Sequence, residues 1–156
     1  MNPLDIIAKY YPVGSEAYRI LVIHSRSVAD KALAIARMHP EMNLDLTFVE
    51  EAAMLHDIGI FRCNAPDIDC HGDAEYICHG YLGAELMRAE GYPRHARVCE
   101  RHTGTGITLA MIEERGLPLP HRDFMPETLE EQLICYADKL YSKTKQNKKK
   151  SVEKVK

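Results

Sequence analysis

The sequence predicts an all-α protein, a compact single-domain bundle of six or seven helices. Apolar residues recur at helical spacing along most of the chain, and no stretch shows the sustained two-residue alternation of a half-buried strand. Residues that typically start and stop helices flank these periodic segments. With 156 residues, of which 46% are hydrophobic and 28% charged, the chain is long enough for one domain with a proper core.

Three helices are predicted in the N-terminal part of the chain. Residues 2–11, NPLDIIAKYY, favour a short helix. Ser15 can cap a long second helix that reaches about His39, after which a proline stops it. Thr47 begins the capping-box pattern TFVE, which predicts a third helix ending at Gly59.

Four further helices are predicted in the C-terminal part, over residues 73–90, 93–102, 108–115 and 128–141. Asp73 can cap the first of them, and Pro93 suits the first turn of the second. A second capping box, TLEE, begins at Thr128. The intervening segments 60–72 and 116–127 hold most of the irregular sequence and are expected to be loops.

The charge is distributed unevenly along the chain. Residues 143–156, KTKQNKKKSVEKVK, hold seven lysines and one glutamate, so this segment carries +6. Because the whole chain carries −3, the other 142 residues carry −9. We interpret 143–156 as a lysine-rich C-terminal tail, a solvated extension of the last helix. The acidic body argues against a nucleic-acid partner, which would select a basic face.

The five cysteines stand at irregular spacings with no C-x-x-C pair, which predicts reduced thiols and a cytoplasmic protein. No segment approaches the roughly 20 apolar residues that cross a bilayer, and the N-terminus has no signal-peptide pattern. We therefore expect no membrane partner. The sequence leaves the oligomeric state open.

Six ionisable residues occupy positions where the helical pattern expects apolar ones, namely His24, His56, Asp57, His79, His102 and Asp138. One buried imidazole is tolerated when it is hydrogen-bonded. Four inward histidines with two inward aspartates are different, because each uncompensated buried carboxylate costs several kcal/mol. A divalent cation would neutralise the carboxylates and accept the imidazole lone pairs.

The adjacent pair His56-Asp57 stands where its helix is predicted to end. Consecutive helical residues point about 100° apart, so two neighbours inside a helix cannot chelate one ion. At the last turn, before Gly59 lets the chain break away, both side chains can reach a common centre.

His24, then His56-Asp57 within LHDIG, then Asp138 within YADKL resemble the H…HD…D pattern of the HD-domain superfamily of metal-dependent phosphohydrolases. The resemblance covers about residues 15–142, and AAMLHDIG is close to the HDIG form of the motif. The segment CHGYLGAELMRAEGYPRHARVCERHTGTGI, followed by PETLEEQLICYADKL, looks like a subgroup of small HDIG proteins. We therefore predict an HD domain over residues 1–142.

The resemblance implies one or two divalent metal ions, with Mn, Fe, Co, Ni, Zn and Mg all possible. The first ion would be held by His24, His56, Asp57 and Asp138. Asp57 would also reach a second ion held by His79 and His102. In this family His56 and Asp57 would be the catalytic residues, and a metal-bound hydroxide would attack the phosphorus of a phosphomonoester or phosphodiester, here a nucleotide.

Two positions depart from the patterns of the family. Ile60 follows HDIG directly, where a lysine or arginine often stands. His102-Thr103 replaces the paired histidines of members that act on cyclic dinucleotides, so the resemblance does not extend to that activity. Arg26, Arg62 and Lys139 lie close in sequence to the ligand candidates and are the candidate phosphate-binding residues.

The triplet CHG occurs twice, at residues 70–72 and 78–80. The eight-residue separation does not fit the C-x₂₋₄-C spacing of a thiolate zinc site. The resemblance assigns His79 as a ligand and leaves His71 as a loop residue. His39, His95 and His121 are predicted to be surface histidines, and Cys63, Cys99 and Cys135 to be small packing residues.

The sequence is also compatible with two other functions. HD-fold oxygenases with a mixed-valent di-iron centre resemble this ligand set, so the sequence discriminates poorly between oxygenase and hydrolase. A catalytically inactive nucleotide-binding regulator is the third possibility, although a complete ligand set argues against it. Fold-level analogy alone decides none of these.

Overall fold

The computed structural model describes residues 1–141, which form seven α-helices and one small antiparallel ladder. The all-α prediction is confirmed. The helices are α1 (Pro3–Tyr10), α2 (Glu16–Met38), α3 (Leu46–Leu55), α4 (His79–Ala89), α5 (Pro93–Glu100), α6 (Leu109–Arg115) and α7 (Leu129–Asp138). Residue 142 and the predicted lysine-rich tail at 143–156 lie outside the described residues.

The long helix α2 is the central element of the core. Ser15 caps it as predicted, because its hydroxyl accepts a hydrogen bond from the backbone N–H of Tyr18 at 3.1 Å. One face of α2 is buried along its whole length and packs against α3 and α7. That apolar stripe is interrupted by His24, whose side chain is completely buried.

Helices α4 and α5 form a hairpin, and α4 packs on the 3₁₀ turn Ile58–Arg62, which follows α3. The contact is backbone against backbone at Gly59 and Gly83. A Cβ atom on Gly59 would overlap the carbonyl oxygen of His79 and the backbone nitrogen of Gly83. The absence of a side chain at Gly59 therefore lets the end of α3 approach the start of α4.

Two predicted helix starts are wrong. Helix α3 begins at Leu46 and is capped by Asp45, whose carboxylate accepts from the Phe48 N–H at 3.1 Å, so the TFVE pattern lies inside the helix. Helix α4 begins at His79 and not after Asp73. The backbone of Ala74 bonds to Arg62 and Asn64, which prevents the segment around it from coiling.

The loop predicted at 60–72 contains the ladder of β1 (Asn64–Ala65) and β2 (Cys70–His71). Its two-residue strands are too short to show alternation in the sequence. Helices α3, α5 and α7 end a few residues before their predicted ends.

The prediction that His95 is a surface histidine is also wrong. The residue is 9% exposed, and its Nε2 lies 2.9 Å from a Glu51 carboxylate oxygen.

Within residues 1–141, no helix combines the length and the apolar character that spanning a membrane requires.

Candidate metal centre

Six side chains that are far apart in sequence converge at one end of the helical core. They are contributed by α2 (His24), the end of α3 (His56 and Asp57), the first residue of α4 (His79), the turn after α5 (His102) and the last residue of α7 (Asp138). Five of them are almost completely buried, and the Asp138 side chain is 14% exposed. The structure therefore brings together all six metal-ligand candidates.

The first group consists of His24, His56, Asp57 and Asp138, with one ligand atom of each within 4.8 Å of the others. One oxygen of Asp138, Oδ1, lies 2.9 Å from the Nε2 atom of His24 and 3.1 Å from that of His56. The Oδ2 atom of Asp57 lies 3.2 and 3.1 Å from the same two nitrogens. This group therefore offers two imidazole and two carboxylate ligands.

The second group consists of Asp57, His79 and His102. The other carboxylate oxygen of Asp57, Oδ1, lies 3.3 Å from Nε2 of His79 and 3.0 Å from Nε2 of His102. Each oxygen of Asp57 thus serves one pair of histidines. A single carboxylate divided in this way is suited to bridge two cations.

Backbone carbonyls orient three of the imidazole rings. The Nδ1 atoms of His56, His79 and His102 donate to the carbonyl oxygens of the residues three positions earlier, at 2.5, 2.6 and 2.7 Å. In the neutral ring, a proton on Nδ1 leaves a lone pair on Nε2. These bonds therefore direct the three Nε2 lone pairs toward the centre, as in metal-ligating histidines generally.

The pKa values reflect this concentration of acceptors. Burial would lower the pKa of His56, but the carboxylates of Asp57 and Asp138 outweigh burial and raise it to about 10. Burial would raise the pKa of Asp138, but the adjacent histidines hold it well below its ordinary value. Burial lowers the pKa of His102. The first group therefore favours a positive charge between its ligands.

A divalent cation fits this site. The Nε2 atoms of His79 and His102 lie 3.0 Å apart, and both rings donate their Nδ1 protons elsewhere. Two facing lone pairs beside a carboxylate need a positive centre between them, and a divalent cation can accept both lone pairs and the carboxylate oxygen at once. Imidazole and carboxylate ligands suit several divalent transition metals, and the ligand set does not choose among them.

Tyr11 supports the 3₁₀ turn Ile58–Arg62, which follows His56-Asp57. No pattern in the sequence predicts this role. Its hydroxyl donates to the carbonyl oxygen of Ile58 at 2.7 Å and accepts from the N–H of Phe61 at 3.0 Å. Burial raises the pKa of Tyr11, so the hydroxyl stays protonated. It therefore joins α1 to the turn that follows His56-Asp57. No local pattern indicates this contact, because 47 residues separate Tyr11 from Ile58.

Tyr11→Phe is expected to lower the free energy of unfolding by about 2 kcal/mol, because it removes the hydrogen bonds of the buried hydroxyl to two backbone groups of this turn. It should also weaken metal binding about tenfold, since the turn that orients Asp57 loses its support. Thermal unfolding and metal titration measure the two effects. The control is Tyr10→Phe, whose hydroxyl bonds to Glu90 near the surface. Equal metal affinity in both variants would contradict the supporting role of Tyr11.

The three candidate phosphate-binding residues lie in different surroundings. Arg26 pairs with Glu50 at 3.1 Å in a pocket beside the N-terminus, so the structure does not bring it to the cluster. Arg62 is exposed at the end of the 3₁₀ turn. Lys139 lies next to Asp138, and its ammonium group donates to the carbonyl oxygen and the sulfur of Cys135 at 3.1 and 2.9 Å.

The CHG repeat separates into two environments. His79 lies in the cluster, whereas the side chain of His71 is 67% exposed and bonds to Asp69. All five cysteines are free and buried, which agrees with a packing role for Cys63, Cys99 and Cys135. His39 and His121 are exposed as predicted.

A cleft of about 630 Å³ opens beside the cluster. It is lined by Asn64, Ala65, Pro66, Asp67, Ile68, Tyr76, Gly104, Asp138, Lys139 and Tyr141. Asp138 connects the cleft with the first ligand group, and Tyr76, whose ring centroid lies 4.4 Å from that of His79, connects it with the second. The most solvent-accessible ligand of the cluster thus faces a space large enough for a small molecule.

Comparison with known proteins supplies both sequence relatives and a structural neighbour. An uncharacterized protein of Methanocaldococcus jannaschii is 38% identical over 128 residues, which are 80% of this chain and 68% of that protein. A tRNA (cytidine(56)-2'-O)-methyltransferase of Thermoplasma volcanium is 34% identical over 93% of this chain, and one of Picrophilus torridus is 34% identical over 79%. The chain spans only 37% and 32% of the length of these two methyltransferases.

Among solved structures, the HD domain of the phosphodiesterase PgpH of L. monocytogenes superimposes with a TM-score of 0.57. The superposition covers 98% of this chain and 78% of that chain at 17% sequence identity, which shows a common fold. The family model described as HD domain matches residues 21–142, a segment that contains all six clustered residues. This protein therefore belongs to the HD-domain family.

Proposed function

We propose that the protein is a metal-dependent phosphohydrolase that hydrolyses a phosphomonoester or phosphodiester of the nucleotide class. The observation that carries the proposal is the division of the Asp57 carboxylate, with Oδ2 between His24 and His56 and Oδ1 between His79 and His102. Membership in the HD-domain family supports metal-dependent phosphate-ester hydrolysis in general.

Divalent cations at such a site lower the pKa of bound water and neutralise charge on a phosphoryl group. Asp57, Asp138 and the four histidines would hold the cations, and the carbonyl bonds to Nδ1 keep three of the imidazole rings in place. In the net reaction, the oxygen of water bonds to phosphorus and the bond from phosphorus to the ester oxygen breaks. That oxygen takes a proton and leaves as an alcohol.

Lys139 is the described cation best placed to meet the phosphate, since it lines the cleft beside Asp138. It would have to exchange its bonds to Cys135 for phosphate oxygens. Arg62 is exposed at the end of the 3₁₀ turn and is not part of the cleft lining. The reduced, buried cysteines fit the cytoplasmic location that we propose.

The methyltransferase names of two relatives are not carried over to this chain. It spans about a third of those proteins, and its cluster consists of imidazole and carboxylate groups of the kinds that ligate metals. Nor do we assign an RNA substrate. The acidic balance of residues 1–142 disfavours binding to a polyanion.

The function is tested by elemental analysis of the purified protein, coupled to phosphate release from mononucleotides, dinucleoside polyphosphates and cyclic nucleotides. We expect up to two divalent ions per chain and turnover that depends on added Mn²⁺ or Co²⁺. Paired iron with dioxygen-dependent oxidation and no phosphate release would favour the oxygenase alternative. Nucleotide binding without turnover under every metal would favour the inactive regulator.

His102→Ala is expected to lower the affinity of the second cation by more than about 100-fold, because it removes one of three ligands of that group. Binding to the first group should persist, so the stoichiometry should fall from two ions to one. The matched control is His95→Ala, which removes a buried histidine of α5 that bonds to Glu51. Calorimetric titration with Mn²⁺ measures both variants, and two retained ions in His102→Ala would contradict the assignment.

A further inference from the structure

The charges that line the cleft restrict the part of a substrate that can occupy it. Lys139 is the one cationic residue of the lining within the described chain, and Asp67 and Asp138 are anionic. Lys139 would serve the phosphate at the metal ligands, so no further cation of the lining within residues 1–141 remains for additional phosphates. A di- or triphosphate requires several positive groups along its length. Beyond the metal ligands, the cleft is therefore suited to an uncharged group.

The other lining residues are suited to a hydroxylated ring compound. Tyr76 is 39% exposed and its ring packs against the His79 ring, so it forms an aromatic wall next to the cluster. Tyr141 is a second aromatic residue of the lining. The amide of Asn64 and the carboxylate of Asp67, both on exposed residues, offer partners for hydroxyl groups. Aromatic faces stack on nucleobases, and carboxylates commonly bind ribose hydroxyls.

We propose that the cleft binds the nucleoside part of a nucleoside monophosphate, with the base against Tyr76 and the ribose at Asp67 and Asn64. This inference rests on the proposed function, since the single phosphate would lie at the metal ligands. Hydrolysis would then convert the monophosphate and water into a nucleoside and inorganic phosphate. Di- and triphosphates would be poor substrates because their additional charges would meet Asp67 with no cation besides Lys139.

The first test compares kcat/KM for AMP, ADP, ATP and ribose 5-phosphate with the Mn²⁺-loaded protein. AMP is expected to exceed each of the others at least about tenfold, a difference of about 1.4 kcal/mol. If all four are hydrolysed equally, the inference about the cleft is wrong and the phosphohydrolase proposal stands. If none of the four is hydrolysed but a dinucleoside polyphosphate or cyclic nucleotide is, the inference about the cleft is wrong; if no compound of the wider set is hydrolysed under any metal, the proposed function fails. Calorimetric binding of AMP then tests the cleft separately, and no binding would overturn the inference too.

Variants of Tyr76 test the aromatic wall. Tyr76→Leu retains an apolar cover for His79 but removes the ring, so kcat/KM for AMP should fall about tenfold while ribose 5-phosphate is unaffected. Tyr76→Phe should restore the value for AMP. The control is Tyr136→Ala, which removes a tyrosine of α7 that is 49% exposed and is not part of the lining. Equal losses for AMP and ribose 5-phosphate in Tyr76→Leu would overturn the role of the ring.

Charge reversal at Asp67 tests the exclusion of polyphosphates. Asp67→Lys adds a cation to the cleft and should raise kcat/KM for ADP relative to AMP by about fivefold or more. The control is Asp5→Lys in α1. It changes the net charge by the same amount as Asp67→Lys, but at an exposed position outside the lining. An unchanged ratio of ADP to AMP in Asp67→Lys, or the same change in both variants, would overturn the electrostatic argument.

Discussion

Asp57→Asn is expected to abolish binding of both cations and to reduce turnover by more than about 1000-fold. The carboxylate offers one oxygen to each pair of histidines, so its replacement by a neutral amide affects both groups at once. Losing the charge stabilisation that cations supply costs several kcal/mol in the transition state, and about 4 kcal/mol corresponds to a factor of 1000. No other residue of the cluster belongs to both groups.

Metal content by elemental analysis and phosphate release by the variant measure this effect. The control is Glu100→Gln, which removes a different buried carboxylate that pairs with Arg88 and Arg122. That control should lose stability and retain its metal. If Asp57→Asn keeps the full metal content of the unaltered protein, the assignment of the ligands is wrong.

Gly59→Ala is expected to lower the free energy of unfolding by about 3 kcal/mol or more and the Tm by roughly 10 °C. The added methyl group would overlap backbone atoms of His79 and Gly83 and would lie 2.9 Å from the Gly83 Cα. Backbone cannot move aside as a flexible side chain can, so α4 must shift. Because His79 begins α4, the second ligand group should be weakened more than the first.

Thermal unfolding and Mn²⁺ titration of Gly59→Ala measure stability and the two affinities. Gly116→Ala is the control, because Gly116 has φ +61° with no atom within 4 Å of an added Cβ, so it tests backbone conformation without overlap. Its cost should be about 1–2 kcal/mol with unchanged metal affinity. A Gly59→Ala protein as stable as the Gly116→Ala protein would contradict the close approach of α3 and α4.

Local chemistry explains which helix boundaries could be predicted. Ser15 and Thr128 each accept a hydrogen bond from the N–H three residues later, as their patterns predict. The boundaries at Thr47 and Asp73 were wrong for different reasons. Asp45, two residues before Thr47, caps the helix in its place. The backbone of Ala74 instead forms hydrogen bonds with Arg62 and Asn64. The alternative cap Asp45 is visible in the sequence, but the backbone bonds of Ala74 form only when the chain folds back.

Helical periodicity predicted the fold class and showed imidazole and carboxylate groups on apolar faces, because both depend on residue type and spacing alone. The resemblance to the HD-domain superfamily then implied that six of these groups are metal ligands. Only the tertiary structure decided which oxygen of Asp57 lies near each pair of histidines, and only it brought Tyr11 to the 3₁₀ turn Ile58–Arg62. It also placed Arg26 away from the cluster and formed the cleft at Asp138. These features depend on the relative positions of elements that are distant in sequence, which packing fixes and local spacing does not encode.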